Sequence, residues 1–246
     1  MRNNKRNIRA LKTSIQGMRN ASRDVPCQDY AHHSTGGKNF VAVVSDGAGS
    51  AKYAKIGARI VCDTLVDLLK NIKFEEAKTE IIKAIKIARQ KLSFHRFNKS
   101  NLNDFAATLV GVIYCNNKGI FFHIGDGAAV AFQHNNYDKF IISRPENGTF
   151  SCETYFYTMD DWKDNLRFVS FKGYDTFVLM SDGLTNFSFS PDFKQIEKNF
   201  LFPIHEYLSR EKKKYKAIGA LNKTLSDPKA EKINPDDKTI LWAKCV

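Results

Sequence analysis

The 246-residue sequence lacks the features that mark membrane proteins, zinc modules and disulfide-bonded secreted proteins. No stretch approaches the roughly 20 consecutive apolar residues of a membrane-spanning helix. The five cysteines are odd in number and far apart, and no C-x-x-C pair or Cys/His ligand spacing occurs. We therefore expect reduced thiols in a cytoplasmic protein that makes no membrane contact.

Linkers, repeats and low-complexity segments are also missing, and this absence favours a single domain over residues 1–246. The basic segment Met1–Thr13 has no apolar core of a secretory signal, so we expect no secretory leader. No G-x-S-x-G motif occurs, which disfavours a serine hydrolase. A hydrophobic content of 43% with 26% charged residues excludes wholesale disorder.

A formal net charge of +12 indicates acidic partners, with nucleic acid or an acidic protein as candidates. The basic residues are spread over the first 23 positions and over Lys194–Lys232, without an aromatic stacking platform between them. Solvated helix faces explain this spread better than a nucleic-acid site does. A nucleic-acid-binding protein is kept as an alternative function, which would show strongly salt-dependent binding and no metal requirement.

The hydrophobic period changes along the chain and predicts the order of strands and helices. Apolar residues recur at about 3.6-residue spacing in segments 56–68 and 81–92, which predicts two helices. Phe189–Leu225 is predicted to be helical, with Pro191 near its N-terminus, and Gly148–Trp162 to be an ordered loop. The predicted strands are Ile8–Ile15, Phe40–Val44, Ala107–Cys115, Gly119–Ile124, Ala128–Gln133, Lys139–Ser143, Arg167–Phe171, Thr176–Met180 and Lys238–Cys245. Hairpin-linked strands with segregated helices predict an α+β fold, with two packed antiparallel β-sheets and helices on both outer faces.

Four aspartates stand where a hydrophobic run begins or ends: Asp46, Asp126, Asp182 and Asp236. A single Asp-Gly pair is usually a turn, and a turn or a helix N-cap remains an alternative for each. A carboxylate at a strand end, next to a glycine that lets backbone come close, also suits a hard cation. Four such aspartates suggest strand ends that converge on one metal cluster. Oxygen-only ligands favour Mg²⁺ or Mn²⁺ over Zn²⁺.

The ordered set of motifs resembles the metal-dependent serine/threonine protein phosphatases of type 2C, in their compact bacterial form. Each motif is weak alone, but the set covers nearly the whole chain in family order. The matching residues are Pro26-Cys27-Gln28-Asp29, Val44-Ser45-Asp46-Gly47-Ala48-Gly49, Ala106-Ala107-Thr108-Leu109, Gly125-Asp126-Gly127, Met180-Ser181-Asp182-Gly183-Leu184 and Asp236-Asp237-Lys238-Thr239. The resemblance also implies that Asn147–Trp162 is the loop that bacterial members carry near the active site.

The resemblance implies a binuclear Mn²⁺ or Mg²⁺ centre. Asp46 would bridge both ions, and the carbonyl of Gly47 would bind one of them. Asp182 and Asp236 would complete the first metal site, whereas Asp126 together with Asp182 matches the position of a third, weaker ion.

Two further residues acquire roles from the resemblance, and one family residue is missing. Asp29 would orient a water at the metals without binding a metal itself. The family also carries an arginine that clamps phosphate, and we assign this role to Arg23, with Arg19 as the alternative, because neither has the usual spacing. Many members have a histidine after the Asp-Gly pair as a proposed general acid, whereas this chain has Ala48.

The implied function is hydrolysis of phosphoserine and phosphothreonine by metal-activated water, without a covalent intermediate. The partner would be a phosphorylated protein, either the target of a cognate serine/threonine kinase in bacterial signalling or the kinase itself. The alternative is a catalytically weak or inactive regulatory module on the same fold, suggested by Ala48 and by the uncertain arginine. Retention of four costly carboxylates argues against that alternative.

Other titratable residues near the motifs are interpreted as structural. His32 and His33 are interpreted as an exposed pair in a loop, because no partner stands at ligand spacing. His123 lies inside a predicted strand and is interpreted as a packed or hydrogen-bonded core residue. Cys27 is interpreted as a small buried thiol rather than a nucleophile.

Overall fold

The computed structural model of the protein describes residues 7–94, 101–146 and 154–246. Over these ranges the chain forms ten strands. They are β1 (Ile8–Ile15), β2 (Tyr30–Ser34), β3 (Phe40–Ser45), β4 (Leu109–Cys115), β5 (Lys118–Ile124), β6 (Ala128–Gln133), β7 (Asn136–Ser143), β8 (Arg167–Lys172), β9 (Thr176–Met180) and β10 (Lys238–Cys245). All neighbouring strands pair antiparallel, in the order β1-β10-β9-β6-β7 in the first sheet and β2-β3-β4-β5-β8 in the second.

Helices connect the strands and cover the sheets. In the described ranges they are α1 (Met18–Ala21), α2 (Ala54–Leu69), α3 (Ala77–Phe94), α4 (Thr185–Ser188), α5 (Lys198–Arg210), α6 (Lys214–Leu225) and α7 (Pro228–Ile233). None of these helices combines the length and the apolar composition of a membrane span.

The two sheets pack face to face through alternate residues of their strands. Val44 and Val112 of the second sheet share a core with Leu179, Leu241 and Ala243 of the first sheet. Because the side chains of a strand alternate between its two faces, the remaining positions of these strands point outwards, towards the helices.

Helices bury the outer face of each sheet. Val41 of β3 packs with Val61 and Leu65 of α2 and with Ile85 of α3. Since β3 lies between the other sheet and these helices, it is buried at every position, which explains why its sequence does not alternate. On the first sheet, Trp242 packs among residues of α5 and α6, including Leu201, Leu208 and Leu221. The predicted sandwich of two antiparallel sheets between helical layers is confirmed.

Most predicted elements are confirmed, and two interpretations were wrong. His32 and His33 lie in β2, paired with β3, and not in an exposed loop. The segment Phe189–Leu225 is not continuously helical: Phe189 bridges to Ile196 in a turn, and helices α5 and α6 follow separately. Pro191 lies in that turn and not at a helix N-terminus.

The predicted loop Gly148–Trp162 lies partly outside the described residues. Its described part contains turns but no regular helix or strand.

The topology brings the predicted aspartates to one end of the sandwich. Strands β3 and β5 are both antiparallel to β4 and therefore finish at the same end of the second sheet. In the first sheet, Met180 at the end of β9 pairs with Ile240 near the start of β10 and with Ala128 at the start of β6. The segment that carries Asp126 links β5 to β6, so it connects these two sheet ends.

Candidate metal centre

Asp46 follows β3 in a backbone segment that the adjacent strand fixes. Its amide donates to Thr108 Oγ1 at 3.0 Å, and its carbonyl accepts from the Thr108 amide at 2.8 Å. At Gly47 a Cβ atom would lie 2.8 Å from the Gln28 carbonyl oxygen and from the backbone of Ala54. Glycine is therefore required for the close approach that keeps this carboxylate in place.

Asp182 and Asp236 come from the two strands that pair in the first sheet. Asp182 follows β9, where the Ser181 amide donates to the Thr239 carbonyl at 3.1 Å and Ser181 Oγ accepts from the Thr239 amide at 3.0 Å. Asp236 precedes β10, and its amide donates to Asn234 Oδ1 at 3.0 Å. Strand pairing thus places both carboxylates beside each other.

Asp126 lies in the crossing from one sheet to the other. Gly125 before it has a φ of 104°, a left-handed conformation that favours glycine. The hydroxyl of Thr154 donates to Asp126 Oδ2 at 2.7 Å. Thr154 belongs to the loop that the sequence placed near the active site, but this contact was not predicted, because no motif marks it.

Asp29 lies behind Asp46 and is almost fully buried, with 3% of its surface exposed. Among the described residues, neither of its carboxylate oxygens has a hydrogen-bond partner, and Asp182 Oδ1 is buried without a partner as well. A buried carboxylate without a partner costs several kilocalories per mole. A cation bound beside these oxygens would offset that cost.

Burial raises the pKa of each carboxyl in the cluster, and mutual repulsion adds to the effect. Burial raises the pKa of Asp29 to about 7, and Asp237 adds to the rise. Burial and Asp126 raise the pKa of Asp182 to about 6. The pKa of Asp46 is raised by burial and then by Asp29 and Asp182. Burial likewise raises the pKa values of Asp126 and Asp236. A divalent cation would remove this penalty, because opposite charge stabilises the ionised carboxylates.

The donor set fits Mg²⁺ or Mn²⁺. A cavity of about 320 Å³ is lined by Asp46, Gly47, Asp126, Asp182 and Asp236, among others. Its described lining residues include no histidine and no cysteine, so carboxylate and carbonyl oxygens are the available ligands. Such a set suits hard cations that keep part of their water shell.

Both candidate arginines line this cavity. Arg19, in α1, pairs with Asp236 at 2.6 Å, and half of its side chain remains exposed. The positive charge of Arg19 offsets part of the rise that burial causes in the pKa of Asp236. Arg23 is exposed beyond the end of α1 and makes no ion pair within the described residues. Arg19 is therefore engaged with a carboxylate of the cluster, whereas Arg23 is available at the rim.

Asp237 holds the arginine-bearing segment against the cluster. Its Oδ1 accepts from the Gly17 amide at 2.8 Å. Its Oδ2 accepts from Asn20 Nδ2 at 2.8 Å and from the Gln28 amide at 2.6 Å. The motif that contains Asp237 was found in the sequence, but this role was missed, because its partners lie more than 200 positions away.

A buried ion pair supports the same contact. Lys238 Nζ lies 2.8 Å from Glu231 Oε1 and donates to the Asp236 carbonyl at 3.0 Å. Glu231 Oε2 accepts from the Met18 amide at 3.0 Å. Helix α7, the start of β10 and helix α1 are thus tied together around Asp236.

His32, His123 and Cys27 do not belong to the described lining of the cavity. His123 is fully buried with Nδ1 3.0 Å from Ser143 Oγ, which confirms it as a hydrogen-bonded core residue. His32 pairs with Asp63 of α2 at 3.1 Å. Burial and the carboxylates of Asp29 and Asp237 raise the pKa of the Cys27 thiol, so it stays protonated and is not a nucleophile. Ala48 lines the cavity where the family pattern has a histidine.

Comparison with known structures shows the same fold. A bacterial serine phosphatase matches with a TM-score of 0.68 and 16% identity, over 97% of this chain and 98% of that chain. The serine/threonine phosphatase Stp1 from Staphylococcus aureus matches with a TM-score of 0.65 and 16% identity, over 97% and 95% of the two chains. RsbX in complex with magnesium matches with a TM-score of 0.61 and 15% identity, over 97% and 96%.

Sequence comparison gives the family. No curated protein matches the sequence. Residues 16–226 match the model of the family described as Protein phosphatase 2C, and this range contains Asp29, Asp46, Asp126 and Asp182. The match spans well over half of the chain, and the structural comparison shows the same arrangement of the two sheets. The chain belongs to the protein phosphatase 2C family.

Proposed function

We propose that the whole chain forms one catalytic domain of a metal-dependent serine/threonine protein phosphatase. The observation that carries the proposal is the buried carboxylate cluster. Asp29, Asp46, Asp126 and Asp182 all have raised pKa values, and three oxygens of Asp29 and Asp182 lack a hydrogen-bond partner in the described part of the chain. Such a cluster costs stability unless cations bind it.

Asp46, Asp182 and Asp236, together with the Gly47 carbonyl, would hold two Mn²⁺ or Mg²⁺ ions, and Asp126 with Asp182 would hold a third. When bound, two such ions lower the pKa of a water and neutralise charge on a phosphoryl group. The magnesium complex of RsbX, a protein of similar fold, supports this choice of ion.

Residues around the metal ligands would orient the attacking water and bind the substrate. Asp29, buried behind Asp46, would accept a proton from the attacking water and hold it in line with the phosphorus. Arg23 would bind two phosphate oxygens through its planar guanidinium, with Arg19 as the alternative. Asp237 would keep the segment that carries both arginines against the metal ligands.

The substrate class follows from the family and from charge. Two proteins of similar fold are described as a serine phosphatase and a serine/threonine phosphatase. We therefore infer that the substrates are phosphoserine and phosphothreonine residues of proteins. The net charge of +12 favours acidic phosphoproteins through long-range attraction. We infer that the partner is the target of a serine/threonine kinase, or the kinase itself.

Phosphate release from a set of peptides tests this proposal. Phosphoserine, phosphothreonine and phosphotyrosine peptides would be compared in Mn²⁺, in Mg²⁺ and in excess chelator. We expect release from the first two peptides only, and none in chelator. Activity that persists in chelator would contradict the proposal.

Metal binding without turnover would favour the alternative, an inactive regulatory module. Ala48 supports that alternative, because no side chain at this position can donate a proton to the leaving oxygen. Isothermal titration with Mn²⁺, run beside the phosphate assay, separates the two functions. Binding of two ions with no release from any phosphopeptide would establish the module.

A further inference from the structure

At the end of the sandwich opposite the carboxylate cavity, two adjoining cavities form one groove. Their volumes are about 700 and 810 Å³, and both are lined by Phe74, Glu75 and Lys118. The groove lies between the turn that precedes α3 and the ends of β5 and β8, where Lys118 and Lys172 stand. We call it the lysine groove.

The floor of the lysine groove is apolar and preformed. Phe74 and Ile120 line it, and Ile120 is buried. Both side chains belong to the core that this sheet forms with α2 and α3. Because they are packed in that core, the floor is fixed without a ligand.

The rim of the lysine groove carries unpaired positive charge. Lys118 and Lys172 stand directly opposite each other in the β5–β8 pair, and both are exposed. Like charges at such a cross-strand position are destabilising. Lys78 and Lys38 also line the groove, and none of the four makes an ion pair within the described residues. Glu75 is the single carboxylate among the described lining residues.

We propose that the lysine groove docks an acidic segment of a partner protein. An apolar side chain of that segment would lie on Phe74 and Ile120, and its carboxylates would contact Lys118, Lys172 and Lys78. The carboxylates would relieve the repulsion between the opposed lysines. The apolar floor and the Glu75 carboxylate suit such a peptide better than they suit a phosphodiester backbone.

The identity of the partner rests on the proposed function. We infer that it is the phosphoprotein substrate, which would be held both at the lysine groove and at the carboxylate cavity. Strand β5 leads from Lys118 towards Asp126, eight positions later in the sequence. At roughly 3.3 Å per residue the groove and the cavity are about 25 Å apart. One chain can reach both only if at least about eight extended residues separate its acidic segment from its phosphorylated residue.

The first test measures binding of a fluorescein-labelled twelve-residue peptide of glutamate, leucine and phenylalanine by anisotropy. The double variant Lys118→Glu/Lys172→Glu should bind it at least tenfold more weakly than the wild type. The matched control Lys213→Glu/Lys216→Glu makes the same change of net charge at two exposed positions at the start of α6 and should change affinity less than twofold. Equal weakening in both variants would overturn the proposal.

A single substitution separates loss of docking from damage to the fold. Lys172→Glu replaces the repulsion with Lys118 by an attraction, so the melting temperature should rise by about 1–3 °C while peptide binding is lost. A lower melting temperature, or retained binding, would contradict the inference. Displacement of the labelled peptide by a twelve-nucleotide oligothymidylate at a lower concentration than by unlabelled peptide would also overturn it.

Tethered substrates connect the groove to the proposed reaction. A phosphoserine peptide with the acidic segment fourteen residues away should have a kcat/KM at least fivefold above that of a peptide with a four-residue spacing. Lys118→Glu/Lys172→Glu should remove this advantage and leave turnover of a peptide without the acidic segment unchanged. An equal kcat/KM at both spacings would refute two-point docking. If the acidic peptide binds but no phosphopeptide is hydrolysed, the lysine groove stands and the proposed phosphatase function fails.

Discussion

Replacing Asp182 by asparagine should stabilise the metal-free protein, although it removes a proposed metal ligand. Burial and the neighbouring charge of Asp126 raise the pKa of Asp182 to about 6, compared with about 3.9 in an unfolded chain. The ionised carboxylate is therefore unfavourable in the folded state. Asparagine has a similar shape and no charge, so it avoids this penalty.

The free-energy penalty of ionised Asp182, and its pH dependence, follow from the pKa values of this carboxyl in the folded and the unfolded chain. A carboxyl whose folded pKa is raised stabilises the fold below about pH 4 relative to higher pH, and this contribution is lost as the pH rises through about 6. At pH 8 the penalty is on the order of 3 kcal/mol, and at pH 4.5 it falls to about 1 kcal/mol. For a chain of this size, about 3 kcal/mol corresponds to roughly 6–12 °C in melting temperature.

Thermal unfolding in chelator and in Mn²⁺ measures this effect. In chelator at pH 8, Asp182→Asn should melt above the wild type, and the difference should shrink towards pH 4.5. In saturating Mn²⁺ the order should reverse, because bound ions stabilise only the intact ligand set. Asp164→Asn, at an exposed site, serves as the control and should leave the melting temperature unchanged both in chelator and in Mn²⁺. A variant that melts below the wild type in chelator at pH 8 would show that the ionised Asp182 carboxylate does not destabilise the metal-free fold.

Three further predictions concern the residues around the cluster. Arg23→Ala should raise KM and lower kcat/KM about ten- to a hundredfold, with unchanged Mn²⁺ affinity. Arg19→Ala should have a weak effect in the same kinetic assay, and the reverse result would assign the phosphate clamp to Arg19. Asp237→Asn should raise KM without changing the number of Mn²⁺ ions that calorimetry finds, because it loosens the segment that carries the arginines and leaves the metal ligands in place. A change in the number of ions would show that Asp237 does more than hold that segment. Glu231→Ala should lower the free energy of unfolding by about 3–5 kcal/mol, because it leaves the buried Lys238 ammonium unpaired; Glu231→Leu combined with Lys238→Met should recover much of that loss in denaturant titration.

The sequence predicted the strands of the core because their patterns depend on burial alone. The bounds of β1, β6, β9 and β10 agree with the prediction, and β6 and β9 are buried apolar runs next to turn residues. Strand β2 was missed, because His32 and His33 are polar and the strand is only half buried. Its pairing with β3 and the contact of His32 with Asp63 are tertiary interactions that no local pattern reports.

The helical segment after β9 was predicted too simply for a related reason. Apolar residues recur through Phe189–Leu225, but Phe193 has a φ of 54° and Ser190 closes a turn onto Gln195. Pro203 lies inside α5, where a proline would ordinarily end a helix. Packing against the first sheet therefore keeps α5 helical despite Pro203, whereas the turn from Ser190 to Gln195 breaks the predicted continuous helix.

The candidate site was predicted in its parts but not in its connections. Strand-end aspartates such as Asp46 and Asp182 carry a local signal, the adjacent glycine, and the structure brings them together in one cavity. Thr154 and Asp237 carry no such signal, because their functional contacts join distant segments. Motifs thus locate the ligands, whereas only the fold reveals which residues orient them.

The proposed function requires the carboxylate cluster to be the metal centre of a phosphatase. The most direct measurement is phosphate release from a phosphothreonine peptide in Mn²⁺, for the wild type and for Asp46→Asn, with circular dichroism to verify the fold of both. We expect release by the wild type, none in chelator, and a loss of at least a hundredfold in a folded Asp46→Asn protein. Release by Asp46→Asn at the wild-type rate would show that Asp46 is not a ligand of a catalytic metal.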